Sequence, residues 1–190
     1  KESSSILKWT IAFAIASIVF VNHYCRDSVG ALEVQLEDSF LTVHEYHLLN
    51  SLFFIPNVFM PLVGGLLSMR LGAVHVLIIC TFISAMGICL FTYGLYAGSI
   101  EWFFIGRTMT GFVYEVIDCV PINILGPIFK PTGQWGVVVG YLNAFLRCGS
   151  ILNFILTPYL YITYGLKVAV AFTMLMGYCG LLLATWTMNL

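Results

Sequence analysis

Six long apolar stretches run along the chain and are separated by short polar segments. About 20 consecutive apolar residues make one helical crossing of a bilayer core. Unbroken runs of this length favour helices over the alternating strands of a membrane barrel. The pattern therefore predicts an all-α membrane protein with six transmembrane helices. These spans cover about residues 7–31, 47–67, 74–96, 102–125, 135–161 and 167–188, with boundaries good to about two to four residues.

The connection after the first span is the longest and covers about residues 32–46. It runs into His44-Glu45-Tyr46-His47, whose histidine spacing differs from the H-E-x-x-H motif that puts two imidazoles on one helix face. We interpret this segment as a polar start to the second helix rather than a metal motif.

The composition agrees with a lipid environment. Hydrophobic residues make up 60% of the chain and charged residues 9%, whereas soluble domains carry about a quarter charged residues. The net charge is −1 and there is no basic run, which argues against a nucleic-acid partner. The six cysteines lie in apolar stretches without a C-x-x-C pair, so we expect neither a metal site nor a cofactor.

Lysine and arginine residues in the connections indicate the orientation, because cytoplasmic loops are enriched in them. If the spans alternate in direction, four basic residues lie on the N-terminal side and one, Lys167, lies on the other. The four are Lys1, Lys8, Arg70 and Lys130. The N-terminal side is therefore expected to be cytoplasmic.

Ionisable residues inside the predicted spans carry the functional signal. Each costs about 2.5–3.5 kcal/mol at the centre of a membrane helix, so it persists where it faces a cavity or a partner. Five such residues are Arg26, Asp27, Glu115, Asp118 and Arg147. A structural ion pair needs only two charges, so this number favours a polar cavity lined by spans one, four and five.

Two of these charges, Glu115 and Arg147, reach a similar depth. They lie about 13 and 12 residues into spans that run in opposite directions, so at 1.5 Å per residue both are near the middle of the membrane. One reading is an ion pair that holds the two helices together. The reading we favour is a site for a zwitterion, in which the carboxylate binds a substrate amine and the guanidinium binds a substrate carboxylate.

Further polar residues extend this candidate site. Asn143 lies one turn before Arg147 on the same helix face. The candidates for proton coupling are Asp27, Glu115 and Asp118, because a dry cavity favours the protonated form of a carboxyl group.

The connection between spans two and three has the sequence GGLLSMRLG. It resembles the G-x-x-x-D-R-x-G signature of the major facilitator superfamily, at the place where that family has it. Gly65, Arg70 and Gly72 match, and Met69 replaces the Asp that helps latch the cytoplasmic side in the family. Span four contains GRTMTG, which is similar to the family's R-x-x-x-G signature. The resemblance implies that this loop takes part in conformational change.

Within the superfamily, the chain looks most like the lysosomal dipeptide transporter branch. Span one has YCRD followed by AL, where the branch has an aromatic-and-Asp motif and then A-L-Q. Glu115 follows Gly106 by nine residues and Arg147 follows Gly140 by seven, as in that branch. Arg26 stands where the branch has Tyr.

This resemblance implies a dipeptide or amino-acid carrier that works by alternating access. It places Glu115 and Arg147 in the substrate site. The other candidate binding residues are Asp27, Arg26, Asp118, Asn143 and Tyr24. It also implies twelve helices, so a C-terminal six-helix bundle is expected in addition to this chain. The family's animal members suggest an accessory membrane glycoprotein as a partner, and a lysosomal, vacuolar or plasma membrane as the location.

Several alternatives stay open at this stage. The solute could be another small metabolite such as a sugar or a nucleoside, or the protein could be a non-transporting receptor or scaffold of the same fold. A six-span carrier that dimerises is a third arrangement. An enzyme is not expected, because the chain has neither the G-x-S-x-G motif with a later His nor the Y-D and G-x-G-D motifs of intramembrane proteases.

Overall fold

The computed structural model describes residues 2–187, so Lys1 and the end of the sixth predicted span at Met188 lie outside the described residues. All regular elements in the described part are helical, which confirms the all-α class. The α-helices are α1 (Glu2–Ala31), α2 (Glu33–Ser39), α3 (Val43–Asn57), α4 (Met60–Leu71), α5 (Ala73–Ala97), α6 (Ile100–Phe129), α7 (Trp135–Tyr164) and α8 (Leu166–Thr187). A 3-10 turn at Lys130–Thr132 follows α6.

Five of these helices are long and apolar enough to cross a membrane one by one. They are α1, α5, α6, α7 and α8, and the bent pair of α3 and α4 makes a sixth if the two helices form one span. Helices α1, α6 and α7 contain 30 residues each, which corresponds to about 45 Å of length. Since the hydrocarbon core is about 30 Å thick, their ends extend beyond it, and the observed helices are longer than the predicted spans.

The second predicted span is broken, whereas the apolar pattern predicts one continuous helix. Helices α3 and α4 are bent by 42° relative to each other. Pro56 lies in the last turn of α3, and Pro61 lies in the first turn of α4. Pro61 has no N–H and therefore cannot donate a hydrogen bond to the carbonyl of Asn57. This agrees with the end of α3 at Asn57.

The connection after the first span contains the short helix α2, where the sequence predicts a loop. Leu36 of α2 is fully buried in a hydrophobic cluster with Leu41 and Phe103. The next helix begins with a capping box, in which the N–H of Glu45 donates to Thr42 Oγ1 at 3.3 Å and the N–H of Thr42 donates to Glu45 Oε2 at 2.7 Å. The His-Glu-Tyr-His segment is therefore the polar start of a helix, as predicted.

Helix α1 packs along α7 and α8 and also touches α6, while α5 packs along α6 and α8. Small residues let these helices approach closely. A Cβ on Gly106 of α6 would overlap the backbone of Gly87 and Phe91 in α5, and a Cβ on Gly149 of α7 would overlap Phe20 in α1. Helices α6 and α7 meet over a short region only, so α1 is the element that connects their polar residues.

Candidate functional site

A network of polar side chains joins α1 to α6 inside the bundle. Asp118 accepts a hydrogen bond from Asn22 Nδ2 at 3.0 Å with one carboxylate oxygen, and its other oxygen lies 2.7 Å from His23 Nε2. Asn22 also donates to the carbonyl of Tyr114 at 3.2 Å. Both oxygens of Asp118 are therefore engaged by α1, although its side chain is still 15% exposed.

Arg26 belongs to the same network. Its Nε and Nη2 donate to the two oxygens of Asp27 at 2.5 and 3.1 Å, which is a bidentate ion pair between neighbouring residues. Its Nη1 donates to the Tyr114 hydroxyl at 2.6 Å, and that hydroxyl lies 3.0 Å from the ring nitrogens of His23. The Arg26 charge is thus satisfied by Asp27 and linked to α6 through Tyr114.

The helical repeat explains why these residues meet. On α1, Asn22 and Arg26 are four residues apart, and so are His23 and Asp27. On α6, Tyr114 and Asp118 have the same separation. Residues four apart share a helix face, so two short polar stripes lie opposite each other where α1 touches α6. We call the set Asn22, His23, Arg26, Asp27, Tyr114 and Asp118 the polar network.

Glu115 and Arg147 behave differently from the polar network. Glu115 is half-buried on α6, and Arg147 is exposed on α7. Within the described residues, neither side chain forms a salt bridge, and the ion pair that was one of the two readings of their depth is not formed. We call these two residues the unpaired charges.

The remaining predicted ligands lie apart from the polar network. Tyr24 is fully buried, and its hydroxyl is 3.1 Å from Thr157 Oγ1 on α7. Asn153 of α7 donates to the Tyr24 carbonyl at 2.7 Å, so this part of α1 serves the packing of α1 on α7. Asn143 is exposed near Arg147, and its amide donates to the Val139 carbonyl of its own helix at 2.9 Å.

The predicted conformational loop joins α4 to α5. Gly72 has a φ of 87°, a left-handed conformation that glycine adopts without strain. Arg70 is exposed in the last turn of α4, where a positive charge is favourable for the helix dipole. Gly65 lies one turn earlier, and a Cβ there would meet nothing within 4 Å.

The predicted site residues did not include Asn22, His23, Tyr114 and Arg107. The first three complete the polar network, and their four-residue spacing from Arg26, Asp27 and Asp118 was the signal that could have found them. Arg107 of α6 is 6% exposed, and its Cζ lies 3.9 Å from the ring centroid of Phe53.

Comparison with known proteins links this geometry to a family. The family model described as Major Facilitator Superfamily matches residues 4–189. No curated protein matches the chain.

Two solved structures resemble this one over most of its length. The crystal structure of an auto-inhibited POT family peptide transporter has 18% sequence identity and a TM-score of 0.82, and the match covers 95% of this chain and 37% of that one. The in meso crystal structure of the POT family transporter PepTSo has 14% identity and a TM-score of 0.79, with the same coverage. At these identities the likeness shows the fold, and the chain spans about 37% of the length of either transporter.

Proposed function

The chain belongs to the major facilitator superfamily, and on this premise we propose that it is the N-terminal half of a transporter for a small zwitterionic solute. The solute class is a dipeptide or an amino acid, and the mechanism is alternating access, in which two six-helix bundles rock around a central site. Family membership also favours a transporter over an enzyme.

The proposal rests on the absence of a salt bridge at the two unpaired charges in the described residues. Glu115 and Arg147 have opposite signs and lie on two helices that flank α1, and neither forms a salt bridge in the described residues. A carboxylate and a guanidinium that do not neutralise each other are available to a third group. A zwitterion supplies both partners, because its ammonium binds the carboxylate and its carboxylate binds the guanidinium, ideally through two hydrogen bonds.

The rest of the transporter belongs to the same proposal. A C-terminal six-helix bundle would cover the exposed side of Arg147 and complete the cavity. The N-terminal side would be cytoplasmic, the membrane lysosomal, vacuolar or plasma, and an accessory membrane glycoprotein would be a partner in those organisms that use one. The two solved structures that resemble the chain are named as peptide transporters, which supports the choice of a peptide as the first solute.

Proton coupling is a further part of the proposal. Of the three candidates, Asp27 and Asp118 already have partners in the polar network, whereas Glu115 has no salt-bridge partner in the described part of the chain. A half-buried carboxyl without a counter-ion is the one whose protonation changes most easily when a substrate ammonium arrives or leaves. Glu115 is therefore the first candidate for the coupling residue.

The experiment is a thermal-shift screen of the purified full-length protein with dipeptides, amino acids, sugars and nucleosides. A ligand at 100 times its Kd should stabilise the folded state by about 2.7 kcal/mol. We expect dipeptides or amino acids to raise Tm and Arg147→Gln to abolish the rise. Lys167→Gln, which removes a positive charge on the exposed end of α8, should keep it. A shift with sugars or nucleosides only would replace the solute class, and no shift with any ligand would favour a receptor or scaffold.

A further inference from the structure

Arg107 is a buried cation that forms no salt bridge in the described residues. It is 6% exposed, and among the described residues its Nε is buried without a hydrogen-bond partner. Arginine stays protonated in proteins, and an isolated charge inside a membrane bundle is expensive, so a neutralising group is expected nearby.

The neighbouring carboxylates do not supply that group. Both oxygens of Asp27 accept from Arg26. Both oxygens of Asp118 are engaged by Asn22 and His23. Glu115 lies eight residues along the same helix, which is a distance of about 12 Å along the axis. No acidic side chain therefore forms a direct salt bridge with Arg107 in the described residues, and Asp27, whose charge acts on Arg107, is already held by Arg26.

A small internal cavity lies beside Arg107. Its volume is about 20 Å³, which is more than the roughly 10–15 Å³ that one water molecule needs and far less than a dipeptide needs. Its wall combines the guanidinium with hydrogen-bonding side chains from α1, α5 and α6. These side chains are Asn22, Arg26, Ser28, Ser84, Thr110 and Tyr114, and Thr173 of α8 also lines the cavity.

Two features of the wall suit an anion. Phe53 covers one face of the Arg107 guanidinium, with 3.9 Å between Cζ and the ring centroid, so the N–H donors of the guanidinium point along its plane rather than at the ring. Ser84 also lines the cavity, and its hydroxyl forms no hydrogen bond in the part of the chain that the structure describes. A positive group and a free hydroxyl donor therefore line the same small cavity.

We propose that this cavity is a binding site for a monatomic anion of halide size, with chloride as the first choice. The anion neutralises Arg107 and accepts hydrogen bonds from the guanidinium and from Ser84. It ties α5 to α6 deep in the bundle, so its effect is on the stability of the N-terminal half. The site is separate from the unpaired charges and does not depend on the identity of the transported solute.

The first measurement compares the thermal unfolding of the full-length protein in sodium chloride and in sodium gluconate at equal ionic strength. Gluconate is too large for a cavity of about 20 Å³. We expect Tm to rise by a few degrees with chloride in a saturable way, and bromide to act like chloride. A Tm that is the same in both salts would overturn the proposal.

Variants then assign the effect to the cavity. Arg107→Gln should abolish the chloride-dependent rise of Tm, whereas Lys167→Gln, which removes an exposed positive charge, should retain it. A chloride effect that survives Arg107→Gln would mean that the anion binds elsewhere, and the proposal would be wrong.

Ser84→Ala keeps the test decisive if Arg107→Gln does not fold. This change removes one donor from the cavity and leaves the Arg107 charge in place. Binding of radioactive chloride to the full-length protein should weaken severalfold in Ser84→Ala, and bromide should compete for the same site in the wild type. Unchanged chloride affinity in a folded Ser84→Ala protein would overturn the role of this cavity.

Discussion

The polar network and the unpaired charges contain the same kinds of residue but satisfy them in different ways. In the polar network, Arg26 and Asp27 neutralise each other, and Asp118 accepts from two side chains of α1. Glu115 lies beside this network on α6 and has no salt-bridge partner in the described residues, and the same is true of Arg147 on α7. The difference separates charges with partners inside the bundle from charges that have no salt-bridge partner in the described residues and that we propose to bind the solute.

The largest expected effect is on stability and concerns the network. Asp118→Ala removes the carboxylate that accepts from one N–H of the Asn22 amide and lies against His23 Nε2, and unsatisfied buried donors cost about 1–3 kcal/mol each. We expect the full-length protein to lose about 3 kcal/mol of unfolding free energy. Chemical unfolding in detergent measures this loss.

Glu115→Ala is the matched variant for the unpaired charges. Because Glu115 has no salt-bridge partner in the described part of the chain, we expect its removal to change the unfolding free energy by less than about 0.5 kcal/mol. Equal losses in the two variants would contradict the division between network and unpaired charges.

The second effect is on binding. Glu115→Gln removes the negative charge that we assign to the substrate ammonium, and hydrogen bonds to charged groups contribute about 1.5–3 kcal/mol, or about 10–100-fold in affinity. We expect the substrate Kd to rise by this factor while Tm without substrate stays the same. Glu101→Gln at the exposed start of α6 is the control and should leave Kd unchanged. A lower Tm with an unchanged Kd would move Glu115 to a structural role.

The third effect tests the link between Arg26 and α6. Tyr114→Phe removes the hydroxyl that accepts from Arg26 at 2.6 Å, while the Arg26–Asp27 ion pair remains. Interhelical hydrogen bonds in membranes contribute about 1 kcal/mol, so we expect a loss of that size in unfolding free energy. Tyr93→Phe is the control, because Tyr93 is exposed on α5 and its hydroxyl forms no hydrogen bond in the described residues. Equal results for the two tyrosines would remove Tyr114 from the network.

The smallest effect concerns Asn143. Its amide donates only to the Val139 carbonyl of its own helix, so Asn143→Ala should change the unfolding free energy by less than about 0.5 kcal/mol. If Asn143 also binds the solute next to Arg147, the substrate Kd should rise a fewfold in a titration. An unchanged Kd would take Asn143 out of the candidate site.

The fold was predictable because the apolar runs are long and each one dictates a membrane helix. The break between α3 and α4 was harder to predict, although Pro56 and Pro61 are visible in the sequence. Membrane helices tolerate proline, and whether the chain bends there depends on how the neighbouring helix fills the gap. Helix α2 was missed because seven residues form a helix only when Leu36 finds a buried place.

The lateral arrangement of the candidate site could not be predicted from the sequence. Counting residues along the helices predicts one level for Glu115 and Arg147, and this stays a prediction. The position of α1 between α6 and α7, which keeps these two charges apart, depends on tertiary packing. The choice of partners for Asp118 depends on the rotation of α1 against α6. The helical repeat suggests this rotation, and only the structure defines it.

The central claim is that Glu115 and Arg147 bind the two ends of one zwitterion. The most direct test measures the Kd of a dipeptide, its N-acetylated form and its C-terminal amide for the wild-type full-length protein, Glu115→Gln and Arg147→Gln. We predict that the wild type prefers the dipeptide with both ends free. Glu115→Gln should lose the discrimination against N-acetylation only, and Arg147→Gln should lose the discrimination against the amide only. If both variants kept the wild-type preference for free ends, the two charges would not contact the ends of the solute, and the account would be wrong.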